Sequence, residues 1–314
     1  MNAAAYPHLH PAVRGFADKD DAARIARIRA ECWIEHRPAA GVLELLQEAF
    51  EQPERGRMDN LLLLGESGMG KTALVRAFER RQAVPWDAAL GLRRRPVLVV
   101  LMLVVLMLDE PTEAAFFSQV LASLDVPPFA RGFAPGPGRR ELAFRFLREL
   151  GTRVLVLDEI NSVLAGTPRQ QRLFLQLLRF LSNELRIALV CTGVPEARHA
   201  PMSDAQLRSR FAEVEMPRWS ASAELQDFVN RVVQGFPLRQ PSPVDGAKVR
   251  QLLAERSGGV TLRVCKALER AAVAAVRSGR ECIDLAALED AAVWRGMAPP
   301  GVGLRPRIAA RART

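Results

Sequence analysis

Gly65-Glu66-Ser67-Gly68-Met69-Gly70-Lys71-Thr72 fits the pattern G-x-x-x-x-G-K-[ST] and stands between an apolar run, Leu61 to Leu64, and a helical pattern. Strand, loop and helix in that order commit this part of the chain to an α/β fold with the loop at the end of a strand. Glycines there let backbone N–H groups close on phosphate, Lys71 reaches the β and γ phosphates, and Thr72 sets its hydroxyl on Mg²⁺. ATP and Mg²⁺ are therefore the expected cofactors.

Downstream, short apolar runs alternate with helical patterns: Val97 to Leu103, Val154 to Leu157, Ile187 to Cys191, and a weaker run from Glu213 to Met216. This alternation predicts a parallel sheet with helices on both faces. Helices precede it, one from Asp20 and a second from about Pro38 to Phe50. After Trp219 only helical patterns remain, at about 221 to 235, 245 to 257, 260 to 278 and 284 to 294. The expected organisation is a flexible N-terminal arm (1–19), an α/β nucleotide-binding core with its leading helices (20–219), a helical lid (220–298) and a basic tail (299–314).

Two strands end in Asp-Glu, at Asp109-Glu110 and at Asp158-Glu159. The second is followed by a helix and then by a strand ending at Thr192, whose hydroxyl suits a sensor of the γ-phosphate. Asp158 is thus expected to hold Mg²⁺ and Glu159 to orient and deprotonate the attacking water. The first pair reads instead as a strand end that caps a helix at Thr112. Leu207-Arg208-Ser209-Arg210-Phe211 follows the sensor strand, where a cation can reach a neighbouring subunit's nucleotide. Arg210 is the chosen trans finger, although Arg208 could equally play that part, and such a finger implies a homo-oligomeric ring or filament. Gly258 to Arg263 opens a helix from which Arg263 could contact the phosphates; a solvated surface arginine is the alternative.

The 314 residues carry 44 Lys plus Arg against 35 Asp plus Glu, a formal charge of +9. That surplus favours a polyanionic partner, and Arg131, Arg139 and Arg140, flanking a glycine-rich loop, are candidate phosphate contacts. Cys32, Cys191, Cys265 and Cys282 form no CxxC pair and read as buried thiols in a reducing compartment. With no secretory pattern and a longest apolar run of 12 residues, Val97 to Leu108, no bilayer span is expected, and a cytoplasmic location follows.

Taken together, the chain over about residues 20 to 295 resembles the TniB-type transposition ATPases of the AAA+ class, relatives of the MuB and IstB target-site proteins. The residues that carry the resemblance are Arg27-Ile28-Arg29 with Trp33-Ile34, Arg57-Met58 before Asn60-Leu61-Leu62-Leu63, the P-loop and Asp158-Glu159. It continues in Leu164-Ala165-Gly166-Thr167, Gln170-Gln171-Arg172, the run from Leu177 to Leu185, and Pro217-Arg218-Trp219. The resemblance implies ATP-dependent assembly on double-stranded DNA, recruitment of a DDE transposase with a TniQ-like targeting protein, and choice of insertion site. Two rivals share the motifs: a nucleotide-switched signalling or scaffold ATPase, and an initiator or secretion-type ATPase.

Overall fold

The computed structural model of the chain describes residues 6–87, 92–102, 113–125, 137–161, 167–198 and 208–297. The chain divides into two compact units, one continuous (Arg37–Pro217) and one assembled from Met1–His36 with Arg218–Thr314. A 3-10 helix, Pro11–Phe16, and α1 (Asp21–Arg29) belong to the second of these. Asp20 caps α1 by accepting from the Ala23 amide at 2.8 Å, which fixes the helix start.

The continuous unit opens with α2 (Arg37–Glu51), then β1 (Asn60–Leu64) and α3 (Lys71–Arg81). A short hairpin pairs β2 (Trp86–Asp87) with β3 (Leu92–Arg93), and β4 (Val97–Leu101) follows. After it come α4 (Glu113–Ser123), α5 (Pro137–Glu149), β5 (Val154–Asp158), α6 (Pro168–Glu184), β6 (Ala188–Gly193) and β7 (Phe211–Glu215). Five strands form one parallel sheet in the order β4-β5-β6-β1-β7. The runs of β4, β5, β6 and β1 are buried on both faces, as a sheet covered by helices on both sides requires. Leu62, Leu98, Leu155 and Leu189 pack on one face with Phe117 of α4, Phe144 of α5 and Leu178 of α6, while α2 and α3 lie against β1 and β4. A capping box at Thr167 and Gln170 starts α6.

In the second unit the expected helices appear as α7 (Ala223–Gln234), α8 (Ala247–Ser257), α9 (Thr261–Ser278) and α10 (Leu285–Glu289). The last is shorter than its apolar pattern suggests, because residues 291–296 turn instead and bury Val293 and Trp294. The N-terminal segment departs further from expectation. Within the described part of residues 1–19, Leu9, Val13 and Ala17 are buried together, the His10 amide donates to the Gln234 carbonyl at 2.9 Å, and Arg239 Nε donates to the Ala17 carbonyl at 3.1 Å. This stretch is packed structure, not a free arm. The boundary expected near residue 20 lies instead near residue 37, since α1 packs on α9.

The reason is one buried arginine. Arg24 is fully enclosed, donates from Nε and Nη2 to the Pro237 carbonyl at 3.1 and 3.0 Å, and donates from Nη1 to Glu281 Oε1 at 2.9 Å. Burial pushes the Glu281 carboxyl up, but the Arg24 and Arg239 hydrogen bonds outweigh it and hold the group below the usual value. Of the cysteines, Cys191 is buried as expected and its thiol is pushed up to about 12, whereas Cys32 is exposed. Among the described residues no helix is long and apolar enough to cross a membrane.

Candidate nucleotide site

All five strands run the same way, so the segments that follow β1, β5 and β6 emerge at one edge of the sheet. β1 delivers the Gly65–Thr72 loop there. Gly68 and Gly70 take φ of 83° and 91°, a left-handed region that glycine enters without steric cost. Gly70 is the N-cap of α3 and offers no side chain to its amides, and the first turn of α3 holds no acidic residue. A helix start with amides uncapped by any side chain, entered through glycines, is the cradle that phosphate needs, and the loop fits a nucleoside triphosphate on that ground.

Lys71 is buried, with its Nζ donating to the carbonyls of Gly65 at 2.7 Å and Glu66 at 3.1 Å. Burial lowers its ammonium below the usual value, while the Glu159 and Asp158 carboxylates act in the opposite sense. Asp158, at the end of β5, is buried and accepts from Thr72 Oγ1 at 2.8 Å. A hydroxyl and a carboxylate in contact at the phosphate cradle form a hard oxygen donor set suited to Mg²⁺.

Thr192, at the end of β6, donates its hydroxyl to Asp158 Oδ1 and accepts from the Glu159 amide at 3.2 Å. It is fully buried and its hydroxyl is engaged in both directions. Thr192, expected as a reader of the terminal phosphate, thus bridges the Asp158 carboxylate and the Glu159 amide. Glu159 takes a φ of 64°, uncommon for a residue with a Cβ and a conformation that recurs where side chains are aimed for function.

Arg210 is not part of this cluster. Its carbonyl accepts from the Asn60 amide at 2.8 Å, so it stands where β1 begins, whereas the P-loop follows where β1 ends. Five residues of strand, at about 3.3 Å each, separate the two ends by roughly 16 Å. The Arg210 guanidinium meets Asn183 and Ser182 at the end of α6, and Arg57 holds Ser209 beside it through bonds of 2.7 and 2.8 Å. Arg208 is exposed. Arg263, in the first turn of α9, belongs to the other unit and donates to the Ser257 carbonyl at 3.4 Å.

Of the expected DNA contacts, Arg140 pairs with Glu113 at 3.4 Å and lies over the Phe180 ring, and Arg139 Nε is buried without a hydrogen-bond partner among the described residues. Arg131, Asp109, Glu110, residues 164–166 and the 299–314 tail lie outside the described residues. One site neighbour carried no motif to reveal it. Asn161, two residues beyond Glu159, keeps a buried side-chain oxygen without a partner among the described residues. An Asn just beyond an apolar strand end is the only sequence signal it gives.

The family described as bacterial TniB protein matches residues 24–221. No curated protein matches the chain. Among solved structures, Cdc6p from Pyrobaculum aerophilum is similar with a TM-score of 0.56 at 20% identity, over 84% of this chain and 68% of that one. The Aeropyrum pernix ORC1 protein, solved in complex with DNA, gives a TM-score of 0.59 at 20% identity over 84% and 67%. Drosophila ORC bound to DNA gives 0.53 at 14% over 87% and 65%. These likenesses concern the fold, which is that of the AAA+ P-loop ATPases.

Proposed function

The chain belongs to the bacterial TniB family and is an AAA+ ATPase associated with transposition, and from that premise we propose that it is an ATP-dependent DNA-binding regulator of transposition. In this reading it assembles on double-stranded DNA, recruits a DDE transposase together with a TniQ-like targeting protein, and helps select the insertion site. The observation that carries the reading is Asp158, held between the Thr72 and Thr192 hydroxyls inside a family match that spans both the P-loop and this carboxylate.

The amides of Gly65 to Thr72 bind the phosphates, and Lys71 turns from its carbonyl partners to the β and γ oxygens. Thr72 and Asp158 would hold the Mg²⁺ that accompanies ATP, and that cation would neutralise charge on the phosphates. Glu159 orients water and accepts its proton, a role worth about 10²- to 10⁴-fold, and Thr192 keeps Glu159 and Asp158 in register. Arg210, too far along the strand to serve its own P-loop, reaches the nucleotide of a neighbouring copy, which makes turnover depend on assembly.

The +9 charge supplies phosphate contacts without a recognisable base-reading module, so duplex binding is sequence-tolerant. The test is ATP turnover with and without duplex DNA, with DNA binding measured across salt concentrations in a non-hydrolysable ATP analogue. Stimulated turnover, and binding with a log–log slope of about −0.9 per neutralised phosphate, are expected. Turnover indifferent to DNA, or DNA binding absent with the analogue, would favour the signalling or scaffold reading.

A further inference from the structure

The edge of the sheet opposite the P-loop carries a hollow of about 390 Å³. It lies where strands begin: Met58 precedes β1, Arg94 precedes β4, Arg153 precedes β5 and Ile187 precedes β6. Its floor is apolar, with Met58, Leu147, Leu185 and Ile187 nearly enclosed. Its rim is cationic. Arg94, Arg148, Arg153 and Arg186 line it from three separate segments, all four are exposed, and Glu54 is the one acidic residue among the lining side chains. Arg153 is already oriented, since Nη2 donates to the Gln52 carbonyl at 3.1 Å and the guanidinium sits 5.1 Å from the centre of the Phe50 ring.

We propose that this hollow is a docking site for an acidic peptide segment of a partner protein, one apolar side chain of the segment seated on the floor and its carboxylates bridging the arginine rim. Charge complementarity selects the occupant, because four arginines line one opening and a guanidinium can grip a carboxylate in two-point fashion. The concavity selects it further. A duplex presents phosphates on a convex surface and no apolar side chain that can enter a hollow, so it would bridge the rim and leave the floor unfilled, whereas a peptide satisfies rim and floor together. Arginine around an apolar pocket is also the composition from which protein interfaces draw much of their affinity. The site uses no residue of the nucleotide cluster, so a partner can be held in any nucleotide state.

Fluorescence anisotropy of the full chain with a short labelled peptide, Asp and Glu around a central Leu-Phe pair, tests this. Saturable binding is expected, unaltered by Lys71→Ala. It should weaken by at least about tenfold in Arg148→Glu with Arg186→Glu, the loss expected when two charge-assisted contacts are reversed. Replacing the Leu-Phe pair by Ser-Ser should weaken it comparably. ATP turnover and the melting temperature of the double variant report whether it folds. Should it fail to fold, Arg94→Gln with Arg148→Gln takes its place, with a smaller loss expected. Equal affinity of the folded variant and the original chain overturns the proposal, as does equal binding of the Ser-Ser peptide. Duplex DNA binding that falls with the same substitutions while the peptide does not bind overturns it in favour of a nucleic-acid surface.

Discussion

The Arg210 guanidinium donates to the side-chain oxygen of Asn183 at 2.6 Å, so the cation assigned to a neighbour's nucleotide is fastened to its own α6. In the proposed assembly that bond would give way to a phosphate contact. Arg210→Ala is expected to lower turnover by roughly 10³-fold, as for other arginine fingers, with ATP affinity of the separate subunit unchanged. Asn183→Ala releases the same side chain and should lower the protein concentration at which turnover is half-maximal. Mixing Arg210→Ala with Glu159→Gln subunits should restore part of the activity, because an interface in which the Arg210→Ala subunit holds the nucleotide and the Glu159→Gln neighbour supplies the finger joins an intact Glu159 to an intact Arg210, while the reverse interface stays inactive. Full turnover by a monomer at every dilution would defeat the assignment.

Lys71 and Glu159 should separate binding from chemistry. Lys71→Ala removes the cation that meets the phosphates, and nucleotide binding, followed by calorimetry, should be lost. Glu159→Gln keeps the shape but not the base; it should bind ATP normally and hydrolyse it about 10²- to 10⁴-fold more slowly. If Asp109→Asn or Glu110→Gln abolishes turnover while Glu159→Gln does not, the hydrolytic carboxylate belongs to the other strand.

Thr192→Val removes the hydroxyl that joins Asp158 to the Glu159 amide without changing the side-chain shape. It leaves a buried carboxylate short of one donor, a loss of about 1–3 kcal/mol, and should lower the melting temperature and turnover together. Thr192→Ser should recover both. Recovery of stability without turnover would mean that the methyl group, not the hydroxyl, positions Glu159.

His36 should confer an acid-sensitive stability. It is buried, its ring 5.0 Å from Trp219 and 5.3 Å from Phe228, and burial pushes its imidazole down to about 4 against the upward pull of Glu35. The folded chain therefore keeps it neutral while the unfolded chain takes a proton below about 6.5. The contribution is fully present above that pH and lost as pH falls from about 6.5 towards 4. His36→Phe should flatten the fall in melting temperature across that window. Parallel curves for the two proteins would refute the assignment.

How much of this could be read from the sequence depended on how far the chemistry reaches along the chain. The P-loop is eight consecutive residues, and Asp158-Glu159 ends a run of four apolar residues, so both were legible, as was the β-helix alternation that places them on one sheet edge. Thr192 was legible as a polar strand end but its contacts were not, because its partners Asp158 and the Glu159 amide lie 34 and 33 residues away. Arg24 was illegible. An arginine in a helical pattern with exposed neighbours reads as solvated, and nothing local announces a carboxylate at residue 281. The docking of the N-terminal segment was missed for the same reason, since its apolar residues are few and their cover comes from Gln234 to Arg239.

The same ion pair has a consequence for biogenesis. Arg24 and Glu281 are 257 residues apart, and the whole nucleotide-binding unit lies between them. During synthesis that unit is complete when Pro217 leaves the ribosome, and it can fold by itself as domains generally do. Met1–His36 must wait, its arginine unmatched and its apolar face uncovered, until the ribosome has translated the final helices. A nascent chain arrested before residue 281 would thus carry a finished centre between two unfinished flanks, a target for chaperones and proteases that the completed chain no longer offers.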